Sequence, residues 1–302
     1  MINLDIEPVL ENNTGNSTSE NGKATEAEEN LLQENHEQTH ERSEENVDSD
    51  GNGEELEEKE AVDTSKDKEE ESEVKIETSE TTEQPVIEVN NADIYQKNIL
   101  ILSNISFTIK QGELIYVVGK TGSGKSNLLK LLYGEVPVKN GEVKVAGYSM
   151  FKIKSKNIQR LRRKLGIVFQ DFQLLYDRSV YENLKFVTKV TGWKDHVKRD
   201  ERIEEVLNMV GLKTKGHKMP HQLSGGEQQR ICIARALVNN PEIILADEPT
   251  GNLDPETSFE IFKLFHEISK KGTSVMIATH NYTIINQLPS RVLYINQGKV
   301  TE

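Results

Sequence analysis

Cysteines, long apolar runs and a secretion signal are almost entirely missing from this sequence. The only cysteine in 302 residues is Cys232, which excludes an internal disulfide and a zinc site built from several cysteines. No run approaches the roughly 18 apolar residues that a membrane-spanning helix needs. The N-terminal residues MINLDIEPVLENN have neither the basic nor the apolar region of a signal peptide. We therefore expect an intracellular protein, held elsewhere only by a partner.

Aromatic residues are absent from the first part of the chain, where Tyr95 is the first to occur. Residues 1–84 carry 28 acidic and 6 basic side chains, whereas residues 85–302 carry 22 acidic and 31 basic ones. A segment so charged and so poor in apolar residues buries too little surface to offset the entropy of ordering. We predict that residues 1–84 are a disordered acidic tail, which either is simply solvated or serves as a docking arm.

The remaining residues, 85–302, suit one compact domain. Short apolar and β-branched runs alternate with helical patterns, and these runs lie at 86–89, 105–109, 113–119, 166–170, 242–248 and 274–280. Helical patterns replace the strand pattern in a stretch at about 171–222. The alternation predicts an α/β domain with a mostly parallel sheet covered by helices, into which a helical subdomain is inserted.

A glycine-rich loop follows the apolar run at 113–119. Its eight residues match the pattern G-x-x-x-x-G-K-[ST] between a strand and a helical run. They are Gly119, Lys120, Thr121, Gly122, Ser123, Gly124, Lys125 and Ser126. Glycines let backbone N–H groups approach phosphate oxygens, and the helix N-terminus attracts anions. We predict a nucleoside triphosphate site, with Lys125 on the β- and γ-phosphates and the Ser126 hydroxyl on Mg²⁺.

Two adjacent carboxylates, Asp247 and Glu248, end the apolar run at 242–248. Successive side chains of a strand point in opposite directions, so the two residues can take different roles where the strand ends. We predict that Asp247 holds Mg²⁺, through water, and that Glu248 acts as the general base toward the attacking water.

Four further motifs accompany the glycine-rich loop and the carboxylates. They are Gln170 at the end of its strand, LSGGEQ at 223–228, TGNLD at 250–254, and His280 at the end of another strand. In this order and spacing the set resembles the nucleotide-binding domain of ABC ATPases across residues 86–302. The resemblance implies a P-loop NTPase whose mostly parallel core sheet is flanked by an antiparallel β edge.

The resemblance also implies a homodimer. In this family two copies pack head to tail and enclose two ATP molecules. Each ATP lies between Lys125 of one copy and the signature residues of the other, here Ser224, Gly225 and Gly226. A helix N-terminus begins at these residues, which supports the expectation of an anion-binding site.

Four more residues take roles by the same resemblance. Gln170 would contact Mg²⁺, His280 would hold the γ-phosphate, and Asp254 would link the two sites of the dimer. Tyr95 matches the position of an aromatic residue that stacks on adenine, although a plain edge-strand tyrosine fits that position equally well.

The segment DFQLLYDRSVYENL at 171–184 resembles cell-division ATP-binding proteins of the FtsE type more than lipoprotein-releasing cassettes. This resemblance implies peripheral attachment at the cytoplasmic face of the plasma membrane, to an integral partner resembling FtsX that regulates peptidoglycan hydrolysis. The alternatives are the ATPase of a lipoprotein- or macrolide-exporting transporter, and a soluble ABC ATPase acting on nucleic acid. The last type needs coiled coils or a second cassette, so we expect no nucleic-acid partner.

A basic stretch lies between Glu142 and Asp171, where no acidic residue occurs. It contains Lys144, Lys152, Lys154, Lys156, Arg160, Arg162, Arg163 and Lys164. Such a stretch fits anionic lipid head groups, the acidic tail, or an ordinary solvated helix face.

Removing residues 1–84 tests the predicted division of the chain. Because the predicted tail contributes no residues to the buried core, the truncated and full chains are expected to have the same melting temperature, as measured by circular dichroism. A large drop in melting temperature on truncation would contradict the prediction of a disordered tail.

Overall fold

The computed structural model describes residues 85–302, and the predicted acidic tail at 1–84 lies outside this part of the chain. The strands within it are β1 (Ile87–Gln96), β2 (Ile99–Ile109), β3 (Leu114–Val118), β4 (Asn140–Val145), β5 (Tyr148–Ser149), β6 (Leu165–Val168), β7 (Ile243–Asp247), β8 (Ser274–Thr279), β9 (Arg291–Asn296) and β10 (Lys299–Thr301). The α-helices are α1 (Lys125–Leu132), α2 (Ser155–Arg163), α3 (Val180–Thr191), α4 (His196–Met209), α5 (Gly225–Leu237), α6 (Pro255–Lys270) and α7 (Tyr282–Gln287).

The larger sheet has the strand order β10-β9-β3-β8-β7-β6. Its strands are parallel except for β10, which pairs antiparallel with β9. Residues of β3 alternate between two cores, with Tyr116 in one and Ile115 and Val117 in the other. A sheet covered on both faces requires continuous apolar strands, which explains the uninterrupted run LIYVV in β3.

The smaller sheet is antiparallel and has the order β2-β1-β4-β5. Its buried residues share a core with α1 and with one face of the larger sheet. The structure therefore confirms the predicted fold class, an α/β domain with a mostly parallel sheet and an antiparallel sheet. The sequence did not indicate β4, because only Val143 and Val145 of NGEVKV are buried.

Helices α3 and α4 occupy the stretch between Gln170 and the start of α5, where the described chain has no strand. Their buried residues join α5 and α6 in the core that covers the other face of the larger sheet. Ser179 begins α3 by accepting a hydrogen bond from the Glu182 N–H, and Asp195 begins α4 in the same way. Such side-chain caps satisfy N–H groups that a helix start otherwise leaves unbonded.

Within residues 85–302, no helix is both long enough and apolar enough to cross a membrane.

Candidate active site

The glycine-rich loop connects β3 to α1 at the carboxyl edge of the larger sheet. Gly124 has φ 110° and precedes α1, a conformation that side chains other than glycine's rarely adopt. A Cβ at Gly119 would lie 2.7 Å from the Ile295 carbonyl oxygen. The loop can therefore keep this tight path only with glycine at both positions.

The N-terminus of α1 has no side-chain cap and no acidic residue in its first turn. Its first N–H groups therefore carry the positive end of the helix dipole, and no side chain within residues 85–302 caps them. The neighbouring Lys120, Thr121 and Gly122 are exposed, and Ser123 lies half-buried above the start of the helix. This arrangement suits phosphate oxygens, which accept hydrogen bonds from backbone N–H groups.

Lys125 is buried, and its side chain folds back over the loop. Its Nζ donates a hydrogen bond of 2.9 Å to the Gly119 carbonyl oxygen. The same Nζ lies 3.3 Å from Oε1 of Glu248. The structure therefore joins the loop lysine directly to the predicted general base.

The Glu248 carboxylate lies between the Lys125 ammonium group and the His280 imidazole ring. Besides its ion pair with Lys125, both of its carboxylate oxygens lie 2.9 Å from Nδ1 of His280. Its backbone has φ 45°, in the left-handed region that non-glycine residues seldom occupy. The Glu248 N–H donates to the Ala278 carbonyl oxygen at 2.9 Å, which holds the residue in place after β7 ends.

Asp247 is the last residue of β7, and its carboxyl group is largely enclosed. Burial raises the pKa of this carboxyl group, while a hydrogen bond from Ser126 opposes the shift. Among the described residues, its Oδ1 atom is buried and has no hydrogen-bond partner. A hydroxyl and a carboxylate with an oxygen left to coordinate are ligands that Mg²⁺ prefers, so Ser126 and Asp247 fit this ion.

Gln170 follows β6 and is exposed beside the loop that comes after Glu248. A Cβ at Gly251 would lie 2.9 Å from Nε2 of Gln170. The Gly251 N–H in turn donates to the Glu248 carbonyl oxygen at 3.1 Å. The structure thus brings Gln170 to the turn that carries Glu248.

The signature residues begin α5 on the protein surface. The Ser224 hydroxyl accepts a hydrogen bond from the Glu227 N–H, and the Glu227 carboxylate accepts one from the Ser224 N–H at 2.9 Å. That second hydrogen bond is the main reason why the pKa of Glu227 is lowered. The two reciprocal bonds form a capping box, which fixes where the helix starts.

The start of α5 packs against the start of α6. A Cβ at Gly226 would lie 2.5 Å from Cγ2 of Thr257, and one at Gly225 would lie 3.2 Å from Leu253. Asp254 caps α6 by accepting a hydrogen bond of 2.9 Å from the Thr257 N–H. The structure groups Ser224, Gly225, Gly226 and Asp254, while no hydrogen bond or ion pair among the described residues joins this group to Lys125.

Tyr95 lies near the end of β1, opposite Leu100 of β2. Ile101 and Leu102, which follow in β2, contact the glycine-rich loop at Gly124. The Nζ atom of Lys139 lies 4.6 Å from the centre of the Tyr95 ring. The ring is therefore on the sheet that borders the loop, and its predicted role in adenine stacking stays a prediction.

Sequence reasoning missed Arg235, which ties the segment after Gln170 to α5. Its guanidinium donates a hydrogen bond of 2.8 Å to the Phe172 carbonyl oxygen and a second one to that of Gln173. Cys232, predicted to be a core residue, is buried and also donates to the Phe172 carbonyl oxygen, at 3.0 Å. Burial raises the pKa of this thiol to about 12, so it remains protonated.

Asn183 holds the other end of the same segment and was also missed. Its buried amide accepts a hydrogen bond of 2.8 Å from the Leu175 N–H and donates one of 3.0 Å to the Leu175 carbonyl oxygen. It also donates to the carbonyl oxygens of Arg178 and Ser179. The only sequence signal for either residue was a polar side chain inside an apolar helical stretch.

Comparison with known proteins identifies the family. The chain is 47% identical to the cell division ATP-binding protein FtsE of Streptococcus pneumoniae over 207 residues, which is 68% of this chain and 89% of that protein. It is also 47% identical to FtsE of Bacillus subtilis, again covering 68% of this chain and 89% of the relative. The chain belongs to the ABC ATPase family. It is an ATP-hydrolysing enzyme of this family, similar to FtsE as its segment at 171–184 predicted.

The ABC transporter family profile matches residues 102–251 of this ATPase. The chain is 40% identical to the methionine import ATP-binding protein MetN of Carboxydothermus hydrogenoformans, covering 68% of this chain but 61% of that protein.

Solved structures agree with this family. A dimeric bacterial ABC transporter cassette, MJ0796, has a TM-score of 0.63 and 33% identity, covering 72% of this chain and 97% of that one. The cassette cbiO1 of Clostridium perfringens, part of an ABC transporter complex, has a TM-score of 0.67 and 31% identity, covering 72% and 87%.

Asp247→Asn is expected to raise the melting temperature of the nucleotide-free ATPase at neutral pH. Because burial raises the pKa of Asp247, the folded state disfavours its ionised form, and asparagine removes that charge. The increase in melting temperature should be full at pH values above the pKa of Asp247 in the folded state. It should vanish below the ordinary carboxyl pKa, because the Asp247 carboxyl group is then neutral in both the folded and the unfolded state. Thermal denaturation across this pH range measures it.

The matched control is Asp254→Asn. The pKa of Asp254 is lowered, chiefly by its hydrogen bond with the Thr257 side chain, so the same substitution should lower the melting temperature at neutral pH. A melting temperature below wild type for Asp247→Asn would contradict the assignment of a costly buried carboxylate.

Proposed function

We propose that this ATPase is the nucleotide-driven subunit of an FtsE–FtsX-like complex in bacterial cell division. The observation that carries the proposal is the identity of 47% with FtsE over 89% of that protein's length. In this proposal residues 85–302 are the ATPase domain, with a helical subdomain at about 171–222, and residues 1–84 are an acidic tail.

The chemistry begins with the ion pair between Lys125 and Glu248. When ATP enters the glycine-rich loop, its phosphates become the partner of Lys125, and the Glu248 carboxylate is released to accept a proton from the attacking water. His280, which lies within hydrogen-bond distance of Glu248 in the structure without nucleotide, would hold the γ-phosphate. Asp247, Ser126 and Gln170 would hold Mg²⁺, which neutralises the phosphate charge when it is bound.

A second copy of the chain completes this site. Among residues 85–302, no hydrogen bond or ion pair joins Lys125 to the signature residues Ser224, Gly225 and Gly226. These residues form a helix N-terminus that faces solvent. Head-to-tail pairing places that terminus against the ATP of the partner, with Asp254 between the two sites. The dimeric cassette MJ0796 supports this arrangement. ATP then favours the closed dimer, because only that state binds it from both sides.

The membrane partner of the proposed complex is an integral protein resembling FtsX, reached from the cytoplasmic face of the plasma membrane. Its cytoplasmic segment would bind beside residues 171–184, where Tyr176 and Phe186 are exposed. Arg235 joins this segment to α5, so that closure at Ser224 moves the partner's binding surface. The partner then regulates peptidoglycan hydrolysis across the membrane.

A solute transporter is the second candidate. The identity of 40% with the methionine import ATP-binding protein MetN supports a transporter role, which includes the lipoprotein- and macrolide-exporting types. The two candidates share the ATPase site and differ in the membrane protein that is bound.

Glu248→Gln is expected to lower the rate of ATP hydrolysis by about 100-fold or more, because general base catalysis contributes roughly that factor. It should still bind ATP and accumulate as an ATP-bound dimer, whereas Lys125→Ala should lose ATP binding. Phosphate release, nucleotide binding and size-exclusion chromatography separate these effects.

Glu242→Gln, which alters a surface carboxylate paired with Lys164, is the control and should hydrolyse ATP normally. Hydrolysis at the parental rate by Glu248→Gln would show that another residue is the base.

Affinity capture distinguishes the two membrane partners. The full chain carrying Glu248→Gln, loaded with ATP, is expected to retain an FtsX-like integral protein from detergent-solubilised membranes of the same bacterium. Adding Phe186→Glu to this chain should abolish the capture, whereas adding Val197→Glu, at another exposed apolar residue, should not. Phe186→Glu alone, with Glu248 retained, should hydrolyse ATP at the parental rate. Retention of a solute permease instead would favour the transporter.

A further inference from the structure

One face of helix α2 carries three cations beside the neutral Gln159. Leu161 is the buried residue of this helix, and the exposed Arg162 donates a hydrogen bond of 3.0 Å to the Tyr133 carbonyl oxygen. Lys156, Arg160 and Arg163 follow the i, i+4, i+7 spacing of a single helix face. All three are exposed, and they form what we call the basic stripe.

In the described part of the chain, the basic stripe has no ion-pair partner. No carboxylate occurs between Glu142 and Asp171, and α2 has no acidic residue. The nearby ion pairs use other cations, since Lys144 pairs with Glu88 and Lys164 with Glu242 at 2.8 Å. Among the residues that the structure describes, none forms an ion pair with the stripe. Within residues 85–302, the charge of the stripe is therefore not neutralised by an ion pair.

Exposed apolar side chains occur just before α2 in the sequence and beside the end of the basic stripe. Phe151, just before α2, is 48% exposed, and Nζ of Lys152 lies 5.1 Å from the centre of its ring. At the other end, Arg163 and the exposed Val190 of α3 line a shared cavity of about 440 Å³. Cations beside exposed aromatic and aliphatic side chains are the combination found where proteins rest on a lipid surface.

We propose that the basic stripe binds the anionic head groups of the membrane directly. A layer of lipid phosphates presents negative charge to all three side chains at once, and each cation near such a surface contributes on the order of 1 kcal/mol. Phe151 and Val190 then reach the acyl boundary on either side. This inference rests on the proposed function only for its placement at a membrane, because lipid binding needs no protein partner.

Direct lipid binding has a consequence for the ATPase. If the ATPase domain were attached only to an integral partner, it could rotate about that single contact. A second attachment along α2 would fix which face of the domain is turned toward the bilayer. The stripe shares no residue with the ATP site, so its loss should leave hydrolysis unchanged.

Vesicle co-sedimentation of the purified full chain tests the inference. The wild type should sediment with phosphatidylglycerol vesicles at low salt, be released at high salt, and not sediment with phosphatidylcholine vesicles. The triple variant Lys156→Glu, Arg160→Glu, Arg163→Glu should bind phosphatidylglycerol at least about tenfold more weakly, with an unchanged ATPase rate.

The control variant makes the same change of charge on and directly after α6, at Lys263→Glu, Lys270→Glu and Lys271→Glu. These exposed lysines stand among acidic residues such as Glu260 and Glu267, so this variant should bind vesicles nearly as the wild type does. An equal loss in both variants, or no loss in the stripe variant, would overturn the proposal.

Two further outcomes also overturn it. One is a failure of the wild type to bind phosphatidylglycerol vesicles at any salt concentration. The other is binding to immobilised polyglutamate without binding to the vesicles, which would assign the stripe to an acidic polypeptide. Neither outcome depends on capture of an FtsX-like partner, so the lipid inference and the division role can fail independently.

Discussion

The Glu248 carboxylate, held between Lys125 and His280, is the interaction on which the rest of the active site depends. Glu248 and His280 directly follow β7 and β8, and Lys125 begins α1 after the loop that follows β3. These three strands are neighbours in the larger sheet. Because the strands are parallel, their carboxyl ends meet at one edge, where α/β proteins bind their ligands. The sheet order thus brings together residues that lie far apart in the sequence.

This arrangement also explains how a nucleotide-free site can be stable. A buried lysine and a half-buried glutamate would each be costly alone, and pairing them lowers that cost. Among residues 85–302, Asp247 forms no ion pair, and burial raises the pKa of its carboxyl group. One carboxylate is thus neutralised within the protein, while the other keeps an oxygen atom that a metal ion could satisfy.

A second set of contacts connects the ATP site to the surface proposed to bind the membrane partner. Arg235 and Cys232, both on α5, bind the backbone of the segment that follows Gln170. The same helix begins at Ser224, where a second copy of the chain is proposed to engage ATP. A movement of α5 would therefore be transmitted through hydrogen bonds to Phe172 and Gln173.

The sequence by itself determined the chemistry, because motifs such as the glycine-rich loop and the carboxylate pair are local and have few other uses. It also determined the fold class, through apolar runs that only a sheet covered on both faces requires. The sequence did not reveal β4, because only two valines in this short and mostly polar strand are buried. It also did not reveal the roles of Arg235 and Asn183. Those residues bond to backbone atoms, which any sequence supplies. Only the tertiary structure decided that Lys125, Glu248 and His280 touch, since such proximity depends on strand order and leaves no local pattern.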